Sequence, residues 1–477
     1  MPTMSALAGV TMKARLLNLW DRFRTGFWFV PLLFVVAAVI VAVAMPMVDA
    51  ASEDWLLDRV PWIATTTAAA RPTLSVIGGA MITVTGVVFS ITVVALSIAS
   101  SQFGTRTLRN FTDDRVTQVA IGMFVGTSLY CFLVMRSVRE LNGSAFVPHL
   151  SVAVGVLLAM ISIGVLILFI HHVAMAIQAP QILDSLGYDL DGAIDRLFPE
   201  KIGEPPKRPD ASDGECQAGE LPEEFATVKA DRQGYIQGVD GQGLIELAEA
   251  HDLVIELDKR PGDFVASDSR VARVWPADKL TDEIAGELND AIIVGSRRTP
   301  RQDIGCSVDE MVEVAVRALS PGINDPFTAI NCIDRLSASL GRLAGREVPS
   351  AYRCDGEGHL RLVARPATFV EVLDAALADI RRYGRTSTSV SVRLMGALRL
   401  ILQYVKRHDY REAILRQADR IIEAFEMENH QPCDRQLMRH SYEALTEAIA
   451  NGHDDQPAPE GTAGTADVAS STQRTSS

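Results

Sequence analysis

Residues 74–99 read LSVIGGAMITVTGVVFSITVVALSIA, twenty-six positions without a single Asp, Glu, Lys or Arg. A helix needs roughly 20 apolar residues to cross about 30 Å of hydrocarbon. On a soluble protein a helix of that length carries charge along one face, and this one carries none. The stretch predicts a membrane span. Three more uncharged runs lie close by, at 27–47, 117–135 and 150–170, and nothing comparable follows in the rest of the 477 residues. The fold class expected is a membrane α-helical domain of four transmembrane helices, followed by a cytoplasmic α+β region.

Charges beside the runs predict orientation. Lys13, Arg15, Arg22 and Arg24 precede the first run and are opposed only by Asp21. The next loop carries Asp49, Glu53, Asp54 and Asp58 against Arg59 and Arg71. By the positive-inside rule the N-terminus is cytoplasmic and that loop lies outside. Arg106, Arg109 and Arg115 then fall inside, and an even number of spans returns the C-terminus to the cytoplasm, although Arg136 and Arg139 in the short third loop count against the scheme. Val48-Asp49-Ala50 loosely resembles a signal cleavage site, but the run before it is longer than a signal core of about 7–15 residues. The expected location is a cytoplasmic (inner) membrane crossed several times, with both termini in the cytoplasm and the lipid bilayer as the first partner.

Residues 1–180 hold 11 Lys+Arg and 8 Asp+Glu, whereas the whole chain is −14, so the remainder carries −17. So acidic a region argues against nucleic acid as a partner. The six cysteines are scattered with no C-x-x-C pair, which reads as reduced cytosolic thiols and not as a disulfide framework or a zinc site.

Within the second run, Gly79, Thr83, Gly86, Ser90, Ser97 and Ser101 recur at spacings of three, four or seven, hence on one helical face. Small and hydroxyl residues in a stripe let helices approach and hydrogen-bond across the contact; pores also need hydroxyls facing inward. The stripe is therefore a candidate pore or helix-packing face, and a homo-oligomer is the expected assembly for a pore. Intramembrane charges normally mark ion and proton pathways, and the runs contain none, which disfavours a coupled transporter. No inverted repeat relates the two pairs of runs. His171-His172 closes the fourth run. Neighbours on a helix point about 100° apart and do not readily share one metal, so the pair reads as interfacial imidazoles, with pH sensing the alternative.

Beyond the spans, 177–200 reads as a stalk helix broken near Gly187, 201–222 as a Pro- and Gly-rich flexible insert, and 453–477 as an unstructured tail. Residues 223–276 read as a β-rich, barrel-like subdomain with strands near 225–230, 234–239, 253–257 and 271–274. Its segment RPGDFVASDSRVARVW resembles the hairpin signature of lipoyl-like domains and membrane-fusion adaptors, without the lysine such carriers modify. From 277 to 452 the chain reads as helices. Ser307 with Glu310 forms a capping-box pattern, as does Thr368 with Glu371. Asp325-Pro326 supplies an N-cap and a first-turn proline, and Gly384 a C-terminal stop.

The segments VALSIASSQFGTRTLRNFTDDRVTQ, GYIQGVD, RPGDFV and above all RALSPGINDPFTA resemble the bacterial domain-of-unknown-function family numbered twenty-two fifty-four, whose members are predicted membrane proteins. The resemblance spans roughly residues 15–450 and implies the layout just described. It supplies no activity. At Gly104 the family pattern leads one to expect serine.

One constellation outside the spans suggests a ligand. Arg297, Arg298 and Arg301, then Asp303, precede the helix opened near Ser307, and Asn324 and Asp325 follow it in the SPGINDP turn. Guanidinium groups beside a helix N-terminus make a candidate anion or ligand site. Twelve or so helical residues separate the two loops by about 18 Å, so a returning chain or a neighbouring subunit would have to join them. The plainer reading is that the arginines pair with an acidic surface and that SPGINDP is a rigid corner. No G-x-S-x-G, Walker A or H-E-x-x-H motif is present. The chain therefore reads as a non-enzyme without cofactor or metal, and a channel gated by its cytoplasmic domain is weighed against a membrane-anchored sensor or scaffold.

Overall fold

The computed structural model describes residues 28–59, 65–104, 114–141, 144–176, 178–198 and 221–451. The expected N-terminal segment, most of the 201–222 insert and the tail from 453 lie outside them. Four helices are long and apolar enough to cross a membrane: α1 (Phe29–Arg59), α2 (Thr67–Phe103), α3 (Arg115–Ser137) and α4 (His149–Ala176). A short antiparallel hairpin, β1 (Arg139–Leu141) with β2 (Ser144–Phe146), joins the last two.

The third helix is the hub. Its apolar window is 61% buried, against 11–17% in the other three. Glycines bring α1 close: a Cβ on Gly122 would lie 2.9 Å from the Phe34 ring, and one on Gly126 would lie 3.3 Å from the Phe34 carbonyl oxygen. Hydroxyls fix the other neighbours. Ser128 Oγ donates to Gly78 O of α2 at 2.9 Å, Thr127 and Ser162 of α4 share a bond of 3.1 Å, and the Tyr130 hydroxyl donates to Ser151 O at 2.9 Å. Between helices this apolar, such bonds and close backbone contacts supply what apolar packing alone does not.

Span ends are closed by charges of the sign the helix dipole prefers. The Asp49 carboxylate, buried inside α1 and not in a loop, accepts from Leu150 N, Ser151 N and Ser151 Oγ at 2.6–2.9 Å, capping α4. Arg71 donates to Val138 O at 2.8 Å, at the C-terminus of α3. At the other end Asp114 caps α3 through Val116 N and Thr117 N, and His172 Nε2 of α4 sits 3.0 Å from the same carboxylate. His172 is thus half of a cross-helix pair, while His171 stays exposed.

Helix α5 (Ala179–Leu197), with Gln178 as its N-cap, runs unbroken through Gly187, so the interruption expected there is not found. It joins a helical unit of α8 (Ile304–Ala318), α9 (Pro326–Ala344), α10 (Phe369–Gly384), α11 (Thr388–Leu402), α12 (His408–Glu426) and α13 (Pro432–Asn451). Leu183, Leu190, Met311, Leu336, Leu373, Leu394 and Ile414 form its core, with Ala99 of α2 in the same cluster.

The β-rich unit contains β3 (Ala226–Lys229), β4 (Gly234–Val239), α6 (Gly241–His251), β5 (Val254–Leu257), β6 (Phe264–Val265), β7 (Arg270–Trp275), α7 (Asp282–Ala291) and β8 (Ile292–Gly295). It does not end at 276. Strands β9 (Tyr352–Cys354) and β10 (Leu360–Val363) return from within the helical stretch to complete a five-stranded sheet, β3-β7-β5-β10-β9. There β10 lies parallel to β5, with Leu362 beside Ile255. A second, three-stranded sheet has the order β6-β4-β8. Cys131, Cys306, Cys332 and Cys433 form no disulfide, whereas Cys354 is disulfide-bonded, unlike the all-thiol state expected.

Candidate functional site

The stripe on α2 points away from its own bundle. Gly79, Thr83, Gly86, Ser90, Ser97 and Ser101 are all exposed, and a Cβ on Gly79 or Gly86 would meet no atom of the chain within 4 Å. The edge that packs inward is Leu74, Gly78, Met81, Val88, Ala95 and Ala99. Among the described residues nothing of the same chain packs on the stripe glycines: the glycine contacts of the bundle are made by Gly78, Gly122, Gly126 and Gly155. Thr83 satisfies its hydroxyl on Gly79 O at 3.1 Å and Ser101 on Ile98 O at 2.8 Å. Ser90 and Ser97 make no hydrogen bond among the described residues. A shallow apolar groove runs beside them, lined by Ser90, Ile91, Val94, Ala95 and Ile98.

Where α2 ends, the helical unit holds it. Arg317 of α8 donates to Ser101 O at 3.2 Å, to Ser100 O at 3.4 Å, which also accepts from Gly104 N at 3.2 Å, and to Glu313 at 3.2 Å. A cation at a helix C-terminus is favoured by both hydrogen bonding and the dipole. Gly104 closes the turn with φ +99°, and a Cβ there would stand 2.4 Å from Glu313 Oε1. Serine, the residue expected from the resemblance, would be strained on both counts.

At its far end α8 starts earlier than the Ser307 pattern predicts. Asp303 is the N-cap, accepting from Cys306 N at 3.2 Å, and Ser307 is buried one turn inside. Arg298 explains the choice. It grips Asp303 through Nε at 2.7 Å and Nη2 at 3.0 Å and pairs with Asp309 as well. Burial works against its charge, but Asp303 and Asp309 outweigh that and push its pKa up. The RPGDFV turn closes over this cluster at Gly262, φ +98°, where a Cβ would fall 2.4 Å from Asp303 Oδ2. Arg298 is therefore not available to an anion. Arg297 and Arg301 are exposed, with no ion pair among the described residues.

Asn324 and Asp325 lie at the opposite end of α8. Fifteen residues of helix amount to about 22 Å, and no other element brings the two loops together. Asp325 caps α9 through Phe327 N and Thr328 N, both at 3.1 Å, while Asn324 holds the left-handed φ of 51° that turns the corner. The anion-site reading fails for the set as a whole: Arg298 and Asp303 tie α8 to the β-rich unit, and Asn324 and Asp325 turn the chain. Among the described residues no three His, Cys, Asp or Glu side chains are grouped to hold an ion.

Sequence reading missed Arg317 and Asp49. Each acts on backbone more than a hundred residues away, and an arginine in an amphipathic helix or an aspartate after an apolar run gives no sign of such a partner.

Uncharacterised proteins of Mycobacterium bovis and of two Mycobacterium tuberculosis strains are similar to this chain, each 32% identical over 413 residues, or 85% of this chain and 78% of the relative. No solved structure matches. A family model described as predicted membrane protein matches residues 24–400, and with four apolar helices in that range the chain belongs to the DUF2254 family of predicted membrane proteins.

Proposed function

We propose that the protein is a homo-oligomeric channel or permeation protein of the bacterial cytoplasmic membrane, with both termini in the cytoplasm. In the assembly the α2 helices of neighbouring copies turn the Gly79–Ser101 stripe toward a shared path. One observation carries the reading: the small-and-hydroxyl face of α2, unlike that of α3, is left uncovered by the described residues of its own chain. In lipid such a face seeks another helix or a polar path. Helix α8 is the natural gate, because Arg317 fastens it to the end of α2. Conductance of the purified full chain in planar bilayers tests this. Ion or solute flux is expected, and Gly86→Leu and Ser90→Leu should abolish it. A protein that conducts nothing, with both variants behaving as wild type in cells, defeats the proposal.

A second reading keeps the spans as a tether for a sensor or scaffold. It draws on α8, which is fastened to the β-rich unit by Arg298 at one end and to α2 by Arg317 at the other. Exchange of residues 27–176 for an unrelated four-span bundle separates the readings: a tether keeps its cellular role and a pore loses it. Neither reading involves catalysis, a cofactor or nucleic acid.

A further inference from the structure

Two independent registers bring one end of the helical unit to the membrane surface. First, α8 runs antiparallel to the end of α2, with Glu313 beside Gly104 and Arg317 beside Ser100 and Ser101. Continuing in that direction, the Ser320–Pro326 corner passes beyond Ala99 toward the apolar part of α2. Second, α9 runs parallel to α5. Arg335 meets Asp184, Ser339 meets Asp191 and Arg342 meets Asp195, at sequence offsets of 147 to 151. That register sets Phe327, at the start of α9, level with the last residues of α4. Each line ends at the same depth, the boundary where α2 and α4 finish.

Neighbouring helix ends share that level. Leu319 reaches to 3.4 Å of the Cβ position of Gly384, at the end of α10. Arg385 pairs with Glu428 at 2.8 Å, and its carbonyl lies 3.0 Å from His430 Nε2, just past the end of α12. This end displays large apolar side chains that the unit leaves uncovered: Phe327 is 77% exposed, Met427 73%, Tyr383 51% and Ile323 42%. One exposed apolar residue is ordinary. Four on the end that meets a bilayer boundary are what interfacial anchors look like, aromatic rings and flexible apolar chains at headgroup depth. Arg381, two residues before Tyr383, has no ion pair among the described residues. Burial and then the nearby Arg420 and Arg382 lower its pKa, against the pull of Asp374 and Glu423.

We propose that this end of the helical unit rests on the lipid bilayer that its own helices cross, with Ile323 and Phe327 of the SPGINDPF corner, flanked by Met427 and Tyr383, seated at the headgroup–acyl boundary. The proposal needs the apolar helices to span the membrane but not that they conduct. It gives SPGINDPF a role beyond turning the chain: it holds α8, and through Arg317 the end of α2, at a fixed depth.

Photo-crosslinking of the full chain in vesicles of phosphatidylethanolamine and phosphatidylglycerol tests it. A benzophenone amino acid replaces Phe327, Met427 or, as the control, the exposed Ala338 farther along α9. Lipid adducts are expected at 327 and 427 at tenfold or more the yield at 338, as read by mass spectrometry of the protein. The three sites are exposed, so folding should survive, and the melting temperature of each variant in detergent checks this. Crosslinks from 327 and 427 to a second copy, seen as dimers on denaturing gels, overturn the proposal, as do lipid yields no higher than at 338. Neither result depends on conductance, so the permeation reading stands or falls separately.

Discussion

The guanidinium of Arg317 lies 3.2 Å from the carbonyl oxygen of Ser101, 216 residues earlier in the chain, and so ties the apolar helix α2 to the helical unit beyond it. The same cation contacts Ser100 O and Glu313. Arg317→Met should remove charged hydrogen bonds to a helix end and cost about 1–2 kcal/mol. Gly104→Ala, which adds a Cβ against Glu313 at positive φ, should cost about 1–3 kcal/mol. Thermal unfolding in detergent measures both, and unchanged melting temperatures would mean that the junction is not formed in solution.

Arg298 holds Asp303 with two bonds and Asp309 with a third, while Arg297 and Arg301 are exposed. Removing one partner of a buried pair strands the other. Arg298→Ala should therefore destabilise the chain by about 2 kcal/mol, below the range for fully buried pairs because the guanidinium still reaches water. Arg297→Ala and Arg301→Ala should stay within about 0.5 kcal/mol of wild type. Inorganic phosphate should not raise the melting temperature. A rise that Arg298→Ala abolishes would restore the anion-site reading.

The four apolar helices were legible because a missing charge over twenty residues is a one-dimensional signal. So were the caps at Asp325 and Thr368, which act within three residues of themselves. What stayed illegible depends on distant partners. Periodicity groups Gly79, Gly86 and Ser90 on one face and Gly78, Met81 and Val88 on another, but not which face turns inward; Ser128 and Phe132 of α3 decide that by contacting Gly78. Charges counted as loop signals, Asp49 and Arg71, prove to be helix caps. Strand β10 is hidden in the stretch 277–452 that reads as helices, because its parallel partner, β5, lies more than a hundred residues earlier.

The β-rich unit carries a pH-sensitive fastening. Arg361 joins Asp252 Oδ1 at 2.9 Å to Asp355 Oδ2 at 2.8 Å, and Lys279 also reaches Asp252. Arg361, followed by Lys279, holds the Asp252 pKa at about 2. At Asp355 burial pushes the other way, but Arg361 and the amides of His359 and Glu357 prevail and leave it at about 2 as well. Both pKa values lie below the unfolded aspartate value of about 3.9. The stability they lend is thus complete above about pH 4 and is lost as pH falls from there toward 2. Arg361→Met should flatten that part of the pH–stability curve while leaving the rest in place, as followed by circular dichroism. An acid limb of unchanged steepness would remove these carboxylates from the account.

Glycines on the two faces of the bundle should answer differently to enlargement. At Gly122 a new Cβ meets the Phe34 ring at 2.9 Å and the α1 backbone at Pro31 at 3.1 Å, while at Gly79 and Gly86 it meets nothing. Because overpacking forces backbone shifts, Gly122→Val should cost about 1–3 kcal/mol and lower the melting temperature in detergent. Gly79→Val and Gly86→Leu should leave that temperature unchanged, since the single chain has room for both. Their effect should appear instead in mass measurements by light scattering, as a shift toward smaller assemblies, because a stripe that admits another helix closely cannot do so once branched side chains fill it. An assembly of unchanged mass in both variants would show that the face meets lipid alone, and the shared path would lose its lining.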